Sequence, residues 1–496
     1  MLIAAVFVGS QACRPCHAVI TDEYAKTPMA RSSGRAAPLP TANFSAAGHR
    51  YNIEGNRLSF DGGSAPIDYF VGSNSEGRSY LQARDGYLFE LPITWYVRKN
   101  AWDASPGYER DTEVRLNRAV EPSCLQCHAS QVRPVLGTQN RYGDPPFQEG
   151  GVSCERCHGP GGDHVKNPAS FKMVNPAKLN AERRDSVCSQ CHLTGEARIE
   201  QTGKRFSEFQ AGERLADYAS YFVWKLGRTP KDSPAKRSAA AESLPSLSVP
   251  PHPLPADLKV TSHVEKLAAS VCKTKAGDRL WCGSCHDPHS NTDKTQQACL
   301  SCHAQAHRQT ETCATCHMPK ARAIDANHGV MTDHSIPRQQ KPSSPPVPGE
   351  LLAFIGVVDD RALGLAYAEL GDKRAREYLL RAKPSDWPVR LRLAALEPAP
   401  AKAAALYESV LRERPGDTVA LVNLGAIYGS AGRLEDAAKL WRRALETNPA
   451  IEEAALNLSQ ILPAQEAEAI LRRYLDVNPA ARGARARLNV VQKKLP

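Results

Sequence analysis

Long apolar runs are missing from this 496-residue chain. The longest opens it, MLIAAVFVGSQAC, and it is too short to cross a bilayer and has no basic flank before it. It reads as the remnant of an export signal or as the product of a misplaced start codon, and no other stretch is expected to span a membrane. Aromatic residues are scarce as well, at 6%, and mean hydropathy is negative. Side chains alone would give such a chain a thin core. Fifteen cysteines in 496 residues fall far below the density of a disulfide framework. Acidic residues are outnumbered, leaving a formal net charge of +10.

The cysteines are few but ordered. Fourteen of the fifteen fall into seven copies of Cys-x-x-Cys-His: Cys13, Cys16 and His17; Cys124, Cys127 and His128; Cys154, Cys157 and His158; Cys188, Cys191 and His192; Cys282, Cys285 and His286; Cys299, Cys302 and His303; and Cys313, Cys316 and His317. This is the attachment pattern of c-type haem. Each thiol adds to one vinyl group of the porphyrin, and the following histidine becomes the proximal ligand of the iron. Zinc knuckles share the paired cysteines, but they do not require a histidine directly after the second one, and all seven copies have it. The expected cofactors are therefore seven covalent haems c. Cys272 is left over and reads as a small apolar filler.

A six-coordinate haem needs a second axial ligand, usually another imidazole. Of the fifteen histidines, seven are proximal and eight are spare. His164 closes CERCHGPGGDH, where a flexible GPGG turn lets it fold back toward an iron. His289 follows His286 in CHDPH, a spacing that sends the two imidazoles to two neighbouring irons. His263, in SHVEKLAAS, and His49, His328 and His334 complete the candidate distal set. His252, in a proline run, and His307, four residues after its own proximal histidine, are the weakest of the eight. Two functions follow from the count. If all seven irons are six-coordinate, the protein is an electron carrier. If one is five-coordinate, it is an oxidoreductase acting on a small nitrogen or sulfur compound. The carrier is the expected reading.

Charge agrees with the haem count. Residues 350–496 carry +3 of the net charge and the remainder +7. Seven bis-histidine haems with ionised propionates would bring the oxidised protein to about +3 and the reduced one to about −4. The basic excess then offsets propionates, and no nucleic-acid partner is expected.

The chain divides at residues 341–349, KPSSPPVPG, which cannot form regular structure. Residues 1–340 form the expected cytochrome region, mainly α and loop with a few β-hairpins. The hairpins occupy about residues 45–100, with turns at Gly55-Asn56 and Asp85-Gly86. Residues 230–257 are low-complexity and read as a surface loop. The last three motifs are separated by only 12 and 9 residues, so haems held there would be near neighbours.

CERCHGPGGDH, SVCSQCHLTGEAR, LWCGSCHDPHS, CLSCHAQAH and CATCHMPK together resemble the multihaem cytochromes related to hydroxylamine oxidoreductase and its tetrahaem electron acceptor, the doubled-CxxCH class. The likeness spans most of residues 9–338. It implies haems stacked in parallel and perpendicular pairs that pass electrons, with one open catalytic haem in some members. No motif here is CxxCK, the lysine-ligated site of the nitrite reductases in that group, which argues against nitrite reduction.

Residues 350–496 resemble a tetratricopeptide array, an all-α solenoid. Leu424, Gly425, Tyr428, Gly432, Ala437, Trp441, Ala444 and Pro449 fall on a register of about 34 residues. An earlier copy shows Leu363, Gly364, Tyr367, Gly371 and Pro388, and a shorter one closes at Pro479. Such arrays bind peptides or proteins, so a docked partner is expected beside redox partner proteins, one of which could be membrane-associated. Haem c is attached outside the bacterial cytoplasm, which places the protein in the periplasm or otherwise outside the cytoplasm.

Overall fold

The computed structural model describes residues 6–73, 75–225, 259, 261–303, 312–323, 330–338, 349–382 and 386–495. The low-complexity stretch at 230–257, most of the linker, and His252, His307 and His328 lie outside them.

Two antiparallel sheets build the first part. One is a four-stranded meander of Ala42–Ala46, His49–Glu54, Arg57–Phe60 and Gly63–Pro66; the other joins, in spatial order, Ser33–Arg35, Tyr69–Val71, Gly77–Arg84, Tyr87–Tyr96 and Ala101–Ala104. The hairpin turns fall at Gly55-Asn56 and Asp85-Gly86, where Gly55, Asp85 and Gly86 take positive φ. Along Arg57–Phe60 exposed and buried residues alternate, so Leu58 and Phe60 enter a core with Ile53, Leu91, Ile93 and Leu116.

Strands are more widespread than a few hairpins near the start. A further hairpin, Ala129–Pro134 with Tyr142–Gly150, follows the second motif. A three-stranded sheet combines Ala197–Glu200 and Ala219–Trp224 with Leu351–Ile355, which lies beyond the proline-rich stretch. The cytochrome region is therefore mixed rather than mainly α. The strands beyond residue 100 were hidden for a physical reason: Ala129–Pro134 and Tyr142–Gly150 carry Pro134, Pro145 and Pro146, residues that read against a strand.

Nine helices, from Asp360–Glu369 to Arg482–Gln492, form the helical tail among the described residues. Glycines let paired helices approach: a Cβ on Gly364 would lie 2.8 Å from Leu379, and one on Gly425 would lie 2.5 Å from Trp441. The tail also folds back on the first sheets. Its two Asn-Pro turns reach them and the loops that follow, with Asn448 Nδ2 donating to Gln139 Oε1 (2.8 Å), Leu116 N–H to Asn478 Oδ1 (3.0 Å) and Gln82 Nε2 to the Val477 carbonyl (3.2 Å). Tyr87, Phe89, Ala450 and Val477 close an apolar cluster between them. Asn478 is 2% exposed. Asn478→Ala is expected to strand the buried Leu116 N–H and cost about 1–3 kcal/mol, read as a lower urea midpoint.

Candidate haem-attachment sites

Six of the seven motifs lay their cysteine pair on or beside a helical turn that the motif itself begins or ends: Arg14–Tyr24, Pro122–Leu125, Cys154–His158, Ala181–His192, Cys282–Cys285 and Cys313–His317. The sixth motif starts at the end of Thr295–Leu300. On a helical turn, residues i and i+3 share a face, so two cysteines with two residues between them present both Sγ atoms to one side. The first histidine leaves helical geometry (φ −124°, ψ 40°). No two of the fifteen cysteines are joined by a disulfide.

The motifs lie against one another. Cys154 N–H donates to Ser10 Oγ (3.3 Å), joining motifs 1 and 3, and Arg156 donates to the Gln126 carbonyl (3.2 Å), joining motifs 3 and 2. Gln190 Nε2 reaches the Arg156 carbonyl (3.2 Å), while the Gln190 carbonyl accepts from Cys127 Sγ (3.8 Å), so motif 4 touches both. The Arg184 guanidinium lies 4.8 Å from the Trp281 ring centre, linking motifs 4 and 5. Lys294 N–H donates to the Cys285 carbonyl (3.1 Å) and Cys313 N–H to Gln296 Oε1 (2.8 Å), which carries the chain of contacts through motifs 6 and 7. Thiols of different motifs also meet: Cys13 with Cys154, Cys127 with Cys191, Cys188 with Cys282, and Cys299 with Cys313.

Three motif imidazoles face a spare one. His158 and His289 have ring centres 5.8 Å apart and planes within 16°. His192 and His263 are 5.1 Å apart, and His286 and His334 are 6.1 Å apart. His263 also touches His334, at 4.7 Å. Burial, reinforced by neighbouring imidazoles, pushes His192 down to about 4 and His263 down to about 3. Burial likewise lowers His128, His289 and His334. A lowered value favours the neutral ring, the form that binds metal.

The remaining candidates are spread out. His164 sits on Gly162–Lys166, and its Nδ1 donates to the Phe171 carbonyl (2.7 Å); among the described residues no motif imidazole lies against it. His49 is on the four-stranded sheet, with Nε2 donating to the Asp111 carbonyl (3.1 Å). Cys272 is half-buried on Val271–Ala276. Glu155, inside the third motif, escaped sequence reasoning: it is 2% exposed, and nothing local marks a buried acid between two cysteines.

A family model described as cytochrome c554 and c-prime matches residues 97–159, which hold the second and third motifs. A tetratricopeptide repeat model matches residues 395–462. Multiheme cytochrome MtrA of Shewanella baltica (strain OS185) is 28% identical over 196 residues, covering 37% of this chain and 52% of that protein. These matches support a multihaem cytochrome region followed by a C-terminal tetratricopeptide repeat. The chain spans about half the length of that curated relative. Among solved structures, the outer cell wall cytochrome OcwA aligns with TM-score 0.41 at 15% identity, over 89% of this chain and 99% of that one. A MamA mutant aligns with TM-score 0.25 at 20% identity, over 27% of this chain and 85% of that one.

The side chains of the motifs suit haem better than a protein-only metal centre. Among the described residues no group of three or more His, Cys, Asp or Glu side chains converges to hold an ion. Backbone carbonyls instead take the Nδ1 protons of His158 (Val174, 2.7 Å), His317 (Pro337, 3.0 Å) and His334 (Thr332, 2.9 Å). A carbonyl only accepts, so Nδ1 carries the proton and Nε2 is left to ligate. No helix among the described residues is long and apolar enough to cross a membrane.

Proposed function

We propose that this cytochrome carries electrons outside the cytoplasm along seven covalent haems c, one on each CxxCH motif, with the motif histidine as proximal ligand. His289, His263 and His334 are the sixth ligands of the irons held by His158, His192 and His286. His164, whose Nε2 is uncommitted, serves a fourth iron. Electrons enter and leave through redox partner proteins, one of them at a membrane, and the repeat array docks a protein partner. The class is that of the cytochromes related to hydroxylamine oxidoreductase and its tetrahaem acceptor.

The observation that carries this reading is the His158 and His289 pair. An iron held between two imidazoles at about 2 Å each separates their ring centres by roughly 6 Å, and the 5.8 Å spacing with near-parallel planes matches that. The bound group supplies one-electron iron chemistry. The motif cysteines would hold it covalently, the paired imidazoles would ligate its iron and exclude small molecules, and the contacts between motifs hold successive sites together.

Two measurements test this. Low-temperature EPR of the oxidised protein should show only low-spin ferric haem; a high-spin signal would favour the oxidoreductase. His289→Ala should leave the number of covalent haems unchanged, convert one haem from low to high spin and open it to carbon monoxide. An unaltered low-spin envelope would remove His289 from the ligand set.

A further inference from the structure

The carboxylate of Glu155 is buried among four donors. Oε1 accepts from Val8 N–H (2.9 Å) and Gly161 N–H (2.7 Å), and Oε2 from Gly9 N–H (2.8 Å) and Gln131 Nε2 (3.3 Å). All four donors are neutral, and among the described residues Glu155 has no ion-pair partner. Its neighbour Arg156 is turned away, onto the Gln126 carbonyl. The residue lies between Cys154 and Cys157, and the backbone it grips at Val8 and Gly9 leads directly into Cys13. A second carboxylate, Glu149, accepts from Ser10 N–H (2.9 Å) on the same segment.

Hydrogen bonds from neutral amides stabilise a carboxylate without cancelling its charge. Buried away from water, that charge acts over several ångströms with little screening. A haem iron gains one electron on passing from ferric to ferrous; no bond forms or breaks and no proton moves. A fixed negative charge favours the ferric form, the more positive of the two, and so lowers the potential.

We propose that Glu155 holds down the reduction potentials of the two haems bound by motifs 1 and 3, and that its hydrogen bonds from Val8 and Gly9 also fix the distance between them. This rests on the haem-per-motif reading above. The electron comes from a redox partner protein in function and from dithionite in the test. Burial among donors distinguishes this acid from the exposed carboxylates of the surface ion pairs, whose charge water screens.

The test is an optical redox titration of the mature holoprotein against Glu155→Gln. The variant keeps the shape and removes the charge. Two of the potential steps should move upward and the others stay in place. No movement, or a common movement of every step, would overturn the proposal. Should Glu155→Gln fail to mature, Gln131→Asn provides the opposite sign: Gln131 has φ +54°, which asparagine tolerates, and the shorter side chain withdraws one donor from Oε2. The same two steps should then move downward, and unmoved steps would equally overturn the proposal. Peptide mapping of the wild type separates this from failure of the haem reading itself, because missing haem on Cys13–Cys16 or Cys154–Cys157 would refute that reading before any titration.

Discussion

Denatured, fully matured protein should have the mass of the polypeptide plus seven haems. On the proposed reading each CxxCH motif forms two thioethers, and these would survive unfolding, whereas axial bonds and packing would not. The count therefore tests attachment alone. A total short of seven would leave particular motifs empty, and peptide mapping would say which. Cys272 provides the internal control. It stands outside every motif, so Cys272→Ser should leave the haem count unchanged, while alanine at both Cys154 and Cys157 should lower it by one.

The second large effect belongs to the repeat array. Trp441, on Leu434–Thr447, is 4% exposed, donates from Nε1 to the Val422 carbonyl (3.2 Å) and covers Gly425 and Gly429 of the facing helix. Trp441→Ala would empty the volume between two helices whose separation that ring sets, and the glycines opposite have no side chains with which to fill it. The expected loss is about 3–5 kcal/mol, read as a fall in the urea midpoint followed by far-UV circular dichroism. Leu434→Ala on the same helix is the comparison. Leu434 is 46% exposed, and the change there should stay within about 0.5 kcal/mol. Equal losses at the two positions would mean that the Trp441 ring is not what separates the helices.

What the sequence revealed depended on how local each feature is. The attachment motifs are legible because thioether chemistry fixes their spacing within five residues. The repeat is legible because its glycines and large residues recur at a set period. Axial partners were not, since they depend on which distant segments meet. His49 and His289 are both spare imidazoles, yet one donates from Nε2 to the Asp111 carbonyl and the other lies 5.8 Å from the imidazole of a motif other than its sequence neighbour. Glu155 was invisible for the same reason: an acid within CxxCH looks exposed until residues 8 and 9 cover it. The hairpin of Ala129–Pro134 with Tyr142–Gly150 was blurred by Pro134, Pro145 and Pro146, which read against a strand.

The two Asn-Pro turns that grip the first sheets also impose an order on assembly. The bonds from Gln82 to Val477 and from Leu116 to Asn478 join residues 395 and 362 positions apart. Contacts of such separation close late, after local structure has formed. A chain made from its N-terminus holds every CxxCH motif in the open before residues 477 and 478 emerge. The sheets that begin the molecule are thus sealed by its last-made turns, once the thiols between them have already been accessible for ligation.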